Sequence, residues 1–190
     1  MLDFLLSADE KLFLFLNGLY SPFFDVFMEA ISGKYIWIPL YLFLVFWMIR
    51  RRKASGLWIL LFAVLLFALT DLTAVHFFKN VFERLRPCRD PDIMDKVHLV
   101  NGHCGGKFGF ISSHAANTFG LTFFMVFIFR ERWLSISLVT WAVVVSYSRI
   151  YLGVHYPGDV IAGALWAILL AYVVYWLYKA FTTRLTKNIL

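Results

Sequence analysis

Ser148, Arg149, His155 and Asp159 stand between two long apolar runs, in the stretch Ser148-Arg-Ile-Tyr-Leu-Gly-Val-His-Tyr-Pro-Gly-Asp159. Histidine and aspartate four apart lie on one face of a helix, so Asp159 can accept a hydrogen bond from one ring nitrogen of His155. The other nitrogen is then free, which is how an imidazole is prepared as a base or nucleophile. Pro157 suits the first turn of a following helix, where the dipole favours an acid such as Asp159. Taken alone, the same residues serve equally well as a polar cap on a membrane helix. Ser112-Ser113-His114 precedes another apolar run, with Ser112 placed as an N-cap. The first amides of that helix make a natural seat for a phosphate, and Lys79, Arg86 and Arg149 supply positive charge of the right kind. Two imidazoles near such a seat could divide the work, one attacking phosphorus and the other protonating the leaving oxygen.

Whether these groups meet depends on the elements that carry them. With 61% hydrophobic and 19% aromatic residues, the chain lies far outside the range of soluble domains and reads as an integral membrane protein. At 190 residues it forms one domain, residues 1–190. The formal charge of +6 is largely topological and gives no nucleic-acid signal. An apolar run from Tyr35 to Ile49 stops at Arg50-Arg51-Arg52-Lys53, a cluster that membrane proteins keep on the cytoplasmic side. A second run, Gly56 to Phe78, then leads outward, and residues 79–112 form an outer loop. A third, Ala115 to Phe129, returns to Arg130-Glu131-Arg132; a fourth runs from Trp133 to Arg149; a fifth, Val160 to Tyr178, ends near Lys179, Arg184 and Lys187. The expected fold is all-α, a polytopic membrane bundle of five transmembrane helices.

Within the N-terminal segment, residues 1–34, the stretch Met1 to Lys11 carries acids where a signal peptide would carry positive charge, and it is expected to be retained. Ser7 to Glu10 has capping-box spacing before a run closed by Gly18, and Ser21-Pro22 starts a second run closed near Gly33. Both are too short to cross a bilayer and are expected at the interface; a continuous pair would make a sixth span.

This topology brings four segments to one membrane face. Lys79 and Arg86 follow the second span, Ser112 to His114 opens the third, Ser148-Arg149 ends the fourth, and His155 and Asp159 open the fifth. In order and spacing, Lys79 to Arg86-Pro87, Ser112-x-His114 and Ser148-Arg149 to His155 to Asp159 resemble the three motifs of the type 2 phosphatidic acid phosphatase superfamily, in its membrane-integrated lipid phosphatase branch. The resemblance implies His155 as the nucleophile that forms a phosphohistidine, Asp159 as its orienting partner and His114 as general acid. Lys79, Arg86, Ser112, Arg149 and the amide of Ser113 would hold the phosphoryl oxygens, with no metal and no cofactor. It also implies a lipid phosphate as substrate and the bilayer as partner, with the site at the periplasmic or outer face of a bacterial inner membrane; oligomeric state is left open. Undecaprenyl diphosphate and phosphatidylglycerol phosphate are the leading substrates on this view. A lipid A phosphatase or a lipid phosphotransferase with the same site is the alternative, and a silent lipid-phosphate binder a further one.

Where the family commonly has Pro-Ser-Gly-His, this chain has Ile111-Ser112-Ser113-His114, so a side chain stands where glycine would let a ligand approach the backbone. Cys88 and Cys104 bracket the outer loop as a disulfide, as free thiols, or with His98 and His103 as a zinc site of unusual spacing. Arg84, Arg89, Lys96 and Lys107 are expected to pair with acids on a solvated loop. Asp71 and His76 fall within or near the second span, where ionisable groups are costly; Asp71 is expected to bond a neighbouring helix or to orient Lys79.

Overall fold

The computed structural model describes residues 2–189, with the side chains of residues 2, 54 and 186–189 left aside, so the basic end at Lys187 lies outside the described residues. The fold is an all-α bundle. α1 spans Leu2–Asn17, α2 Pro22–Ser32, α3 Ile38–Arg52, α4 Ala54–Thr73, α5 Ser113–Phe129, α6 Arg132–Tyr151 and α7 Pro157–Ile189. Among the described residues, three helical stretches are long and apolar enough to cross a membrane: Ser55–Phe82, Arg132–Tyr151 and Pro157–Leu185. A fourth arises if α2 and the segment Tyr35–Arg52, which meet at 67°, count as one bent span. α5 is apolar but shorter, at 17 residues. Outward residues such as Phe46, Leu61, Ile136 and Leu165 are more than half exposed, as suits a surface solvated by lipid.

Several boundaries follow from local chemistry. Ser21 accepts the amide of Phe24 and caps α2, with Pro22 in its first turn. Lys53, in a positive-φ conformation, separates α3 from α4, and Arg51 beside it reaches Glu131 at 3.4 Å. The capping box expected at Ser7 is not used. α1 starts at Leu2, because Phe4, Leu5 and Leu6 extend the helix with side chains that need no protein cover, while Asp9 turns inward.

α5 lies at the centre, packed on α4, α6 and α7. Its Phe124 and Met125 meet Leu66 of α4, Leu138 of α6 and Val174 of α7, with Leu44 and Met48 of α3 closing the core. Gly163 allows α7 to approach the start of α5, since a methyl group there would stand 2.8 Å from the carbonyl oxygen of Ser112. The two helices are also tied by the Ser112 amide, which donates to the Asp159 carbonyl at 3.0 Å. In lipid, close packing at a small residue and this hydrogen bond, not escape from water, hold the ends of α5 and α7 against each other.

Candidate active site

α4 does not end cleanly. It passes into a π-helical turn, Ala74–Lys79, before Glu83 in the left-handed region stops the chain. Such wide turns re-aim side chains. Here the turn delivers Lys79, whose Nζ donates to the Ser113 hydroxyl at 2.7 Å. The connecting loop then runs through Arg86-Pro87 and is drawn back on itself, the Gly109 amide donating to the Arg84 carbonyl at 2.8 Å. A disulfide between Cys88 and Cys104 closes the loop across 16 residues. The zinc reading of this loop is thereby overturned: its two thiolates are consumed by each other, and the described residues hold no cluster of metal-ligating side chains. Arg86 is held inside the loop, donating to the carbonyls of Cys104 at 3.2 Å and Phe108 at 3.4 Å. Gly105 and Gly109 make room for it, since a methyl group at either would stand 3.2 Å from Arg86 atoms.

Ser112 caps α5 as expected, accepting from the Ala115 amide, and the helix opens with Ser113 and His114. At the far end of α6 the chain turns through Gly153, whose positive φ and tight contact with the His98 carbonyl leave no space for a side chain. The turn places His155 just ahead of α7. His155 Nδ1 faces Asp159 Oδ2 at 3.3 Å, and the same oxygen accepts the Tyr156 amide at 3.1 Å. The pair therefore meets across a helix N-terminus, the imidazole lying before the first turn. No side chain among the described residues is hydrogen-bonded to its Nε2.

His155 and Asp159 are both buried, at 1% and 0% exposure. Burial, reinforced by Arg86, Arg149 and Lys79, holds the His155 imidazole well below its ordinary pKa, so the ring stays neutral. His114 is half-buried within electrostatic reach of Arg149, His155 and Arg86. Arg149 is held by the Ser32 hydroxyl at the end of α2, and its buried Nε has no partner among the described residues. No carboxylate oxygen among the described residues comes within 4.0 Å of Lys79, Arg86 or Arg149. Three cations thus face one histidine without acidic partners, an arrangement that is costly unless an anion completes it. A cavity of about 550 Å³ between α3, α4, α5 and α6 reaches Ser113 and His114, and a second of about 340 Å³ reaches Arg149, Cys104 and Gly105; Ser32 lines both.

The structure corrects the reading of Arg84. Expected in a solvated surface pair, it instead donates to Asp159 Oδ1 at 2.9 Å and to Asp9 Oδ2 at 2.7 Å, while stacking over the Tyr156 ring at 4.0 Å. Asp9 accepts from the Gly158 amide as well, at 2.7 Å. Each oxygen of Asp159 therefore has a separate task, and α1 reaches the site through Arg84. Sequence reasoning missed Arg84, Asp9 and Ser32. Only Asp9, an acid in an apolar helix, carried a local signal. Among the described residues Arg89 donates to a loop carbonyl and not to an acid, and Asp71 makes no helix-bridging bond; its neighbour Thr70 does, to Asn117 at 2.6 Å.

The family model of the PAP2 superfamily matches residues 56–183. A lipid A 4'-phosphatase of Bacteroides thetaiotaomicron is 42% identical over 99% of this chain and 84% of its own length. A second, from Porphyromonas gingivalis, is 35% identical over 93% of this chain and 75% of its own. Among solved structures, the transmembrane PAP2-type phosphatidylglycerolphosphate phosphatase of Bacillus subtilis superposes with a TM-score of 0.66 at 27% identity, covering 95% of this chain and 87% of that one.

Proposed function

This chain belongs to the PAP2 superfamily as a membrane lipid phosphatase, and from that premise we propose that it hydrolyses a glycolipid phosphate of the lipid A type through a phosphohistidine on His155. The reading of the site rests above all on one observation: Lys79, Arg86 and Arg149 lie around the buried His155, and no carboxylate oxygen among the described residues comes within 4.0 Å of the three. The open nitrogen of His155 attacks phosphorus as the bond to the leaving oxygen breaks, and His114, which takes up a proton once the anionic phosphate offsets the surrounding cations, passes it to that oxygen. Asp159 holds the Nδ1 proton and stabilises the positive ring that forms. Lys79, Arg86, Arg149, Ser112 and the Ser113 amide hold the phosphoryl oxygens. Water then attacks the phosphohistidine, His114 takes a proton from it, and phosphate leaves with His155 restored. No step uses a metal.

The order of substrates changes from that suggested by the sequence. Undecaprenyl diphosphate and phosphatidylglycerol phosphate stood first there; two relatives at 42% and 35% identity move lipid A to the front. Phosphate release from the purified full-length protein, measured on a panel of lipid phosphates with and without chelator, tests the proposal. Release from the lipid A phosphate that survives chelator and disappears in His155→Ala is expected. Unchanged release in His155→Ala would remove His155 from the chemistry, and transfer of the phosphoryl group to an alcohol in place of water would make the enzyme a phosphotransferase.

A further inference from the structure

The cavity beneath the site is layered. Along α5 it is lined by Ser113 and His114, then one turn deeper by Asn117 and Thr118, then by Leu121. Four residues of helix advance about 6 Å, so each step is about the size of one small chemical group. α4 repeats the order from the other wall, with Thr70 and Asp71 above Phe67 and Ala63. A phosphate seat thus gives way to a polar belt before hydrocarbon begins. Asp71, exposed at the edge of that belt, makes no hydrogen bond or ion pair to a described residue. Asn117 accepts from Thr70 at its amide oxygen, and its amide nitrogen has no partner among the described residues. An ionisable side chain in an apolar span is expensive and is ordinarily retained for a ligand.

We propose that Asp71 and Asn117 form a subsite for hydroxyl or amide groups on the headgroup that carries the phosphate, and so determine specificity. The proposal rests on the phosphatase reading above and names the substrate class for that site. A hydrocarbon joined directly to phosphate, as in a polyprenyl diphosphate, would cover the belt without satisfying it. A headgroup with hydroxyls adjoining the phosphate would donate to Asp71 and accept from or donate to Asn117. Sites built around polar partners reject analogues that lack them, because their own groups are left desolvated and unpaired. An acylated amino sugar and a phosphorylated glycerol lipid share this chemistry.

The test compares wild type, Asp71→Leu and Asp71→Asn on four probes: an acylated glucosamine disaccharide phosphate, phosphatidylglycerol phosphate, a polyprenyl diphosphate and p-nitrophenyl phosphate. In Asp71→Leu, kcat/KM for the sugar lipid should fall about 10- to 100-fold, with the last two probes within about threefold of wild type. Asp71→Asn, which keeps an acceptor, should retain more. A fall for phosphatidylglycerol phosphate as large as that for the sugar lipid would show that the belt reads hydroxyls of either source; a fall confined to the sugar lipid would show that it reads the sugar. Equal losses on all four probes, alike in Asn and Leu, would assign Asp71 to Lys79 and overturn the proposal. So would a wild-type enzyme that prefers the polyprenyl diphosphate and is indifferent to both substitutions. Equilibrium binding of the same lipids to His155→Ala, with and without Asp71→Leu, separates the two readings. If no lipid is hydrolysed but Asp71→Leu still weakens binding of the sugar lipid alone, the hydrolysis reading fails and the subsite stands.

Discussion

Replacing Arg84 with methionine should slow the enzyme without loosening its hold on substrate. The guanidinium lies 2.9 Å from Asp159 Oδ1 and 2.7 Å from Asp9 Oδ2, and among the described residues no other arginine or lysine comes within ion-pair distance of Asp159. Asp159 has no exposure at all, so without Arg84 its charge loses most of its compensation, and the carboxylate is driven to bind a proton or to turn from His155. Breaking one partner from a buried pair costs about 3–5 kcal/mol. Arg84 keeps 21% of its side chain exposed, and water would take over part of its role, which brings the expectation to about 2–3 kcal/mol. If that loss falls on the step in which His155 becomes positive, kcat drops roughly 30- to 150-fold. KM should hardly move, since Arg84 donates to carboxylates and does not face the phosphate seat. Arg84→Lys, able to reach one carboxylate but not both in a fork, should recover part of the rate. Asp9→Asn should cost only several-fold, because the bond to Asp159 survives. The measurement is kcat and KM for phosphate release, with the thermal midpoint of each variant as a check on folding. A kcat for Arg84→Met within threefold of wild type would refute the reasoning, and so would a rate loss matched by a higher KM.

Three further outcomes follow from the same geometry. Neutral His155 requires that kcat hold as pH falls below the ordinary histidine value of about 6.5; Arg86→Gln removes one of the charges that lower it, so the acid limb should move to higher pH in a kcat profile. Replacing Cys88 and Cys104 with serine opens a loop closed across 16 residues and should cost about 3 kcal/mol in unfolding free energy, with a raised KM because the Cys104 carbonyl holds Arg86. Ser113→Gly removes the hydroxyl bonded to Lys79 while widening the approach to the first amides of α5; kcat/KM should change by less than about tenfold, and loss of all activity would make the hydroxyl essential.

What the sequence disclosed of this site, and what it withheld, divides along a physical line. The apolar runs gave the starts of α4 to α7 within a few residues, because a span must be about 20 residues of hydrocarbon-compatible side chains and little else satisfies that, but α7 continues well past the expected end at Tyr178. Ser112 at the N-cap and Asp159 four residues past His155 are short-range signals, and both contacts form. Arg84 could not be read this way. Its partners Asp9 and Asp159 are each 75 residues distant, in opposite directions, and a loop arginine flanked by Glu83 and Asp90 has the same local appearance whether it faces water or the core. Ser32 was hidden for the same reason, 117 residues from Arg149. The π-helical turn at Ala74–Lys79 leaves no composition signature, yet it decides where Lys79 points. The chemistry was therefore legible where a residue acts on its own helix turn, and hidden where helices α1 and α2 reach in to hold the acting groups. That division makes the N-terminal helices more than membrane anchors: Asp9 and Ser32 are the contacts through which their docking can be felt at His155. Asp9→Asn and Ser32→Ala should accordingly be additive with each other, since they act through separate arginines, while Asp9→Asn should add little to Arg84→Met, since both act through one. A double-mutant cycle on kcat distinguishes these cases, and full additivity of Asp9→Asn with Arg84→Met would show that α1 influences the site by another route.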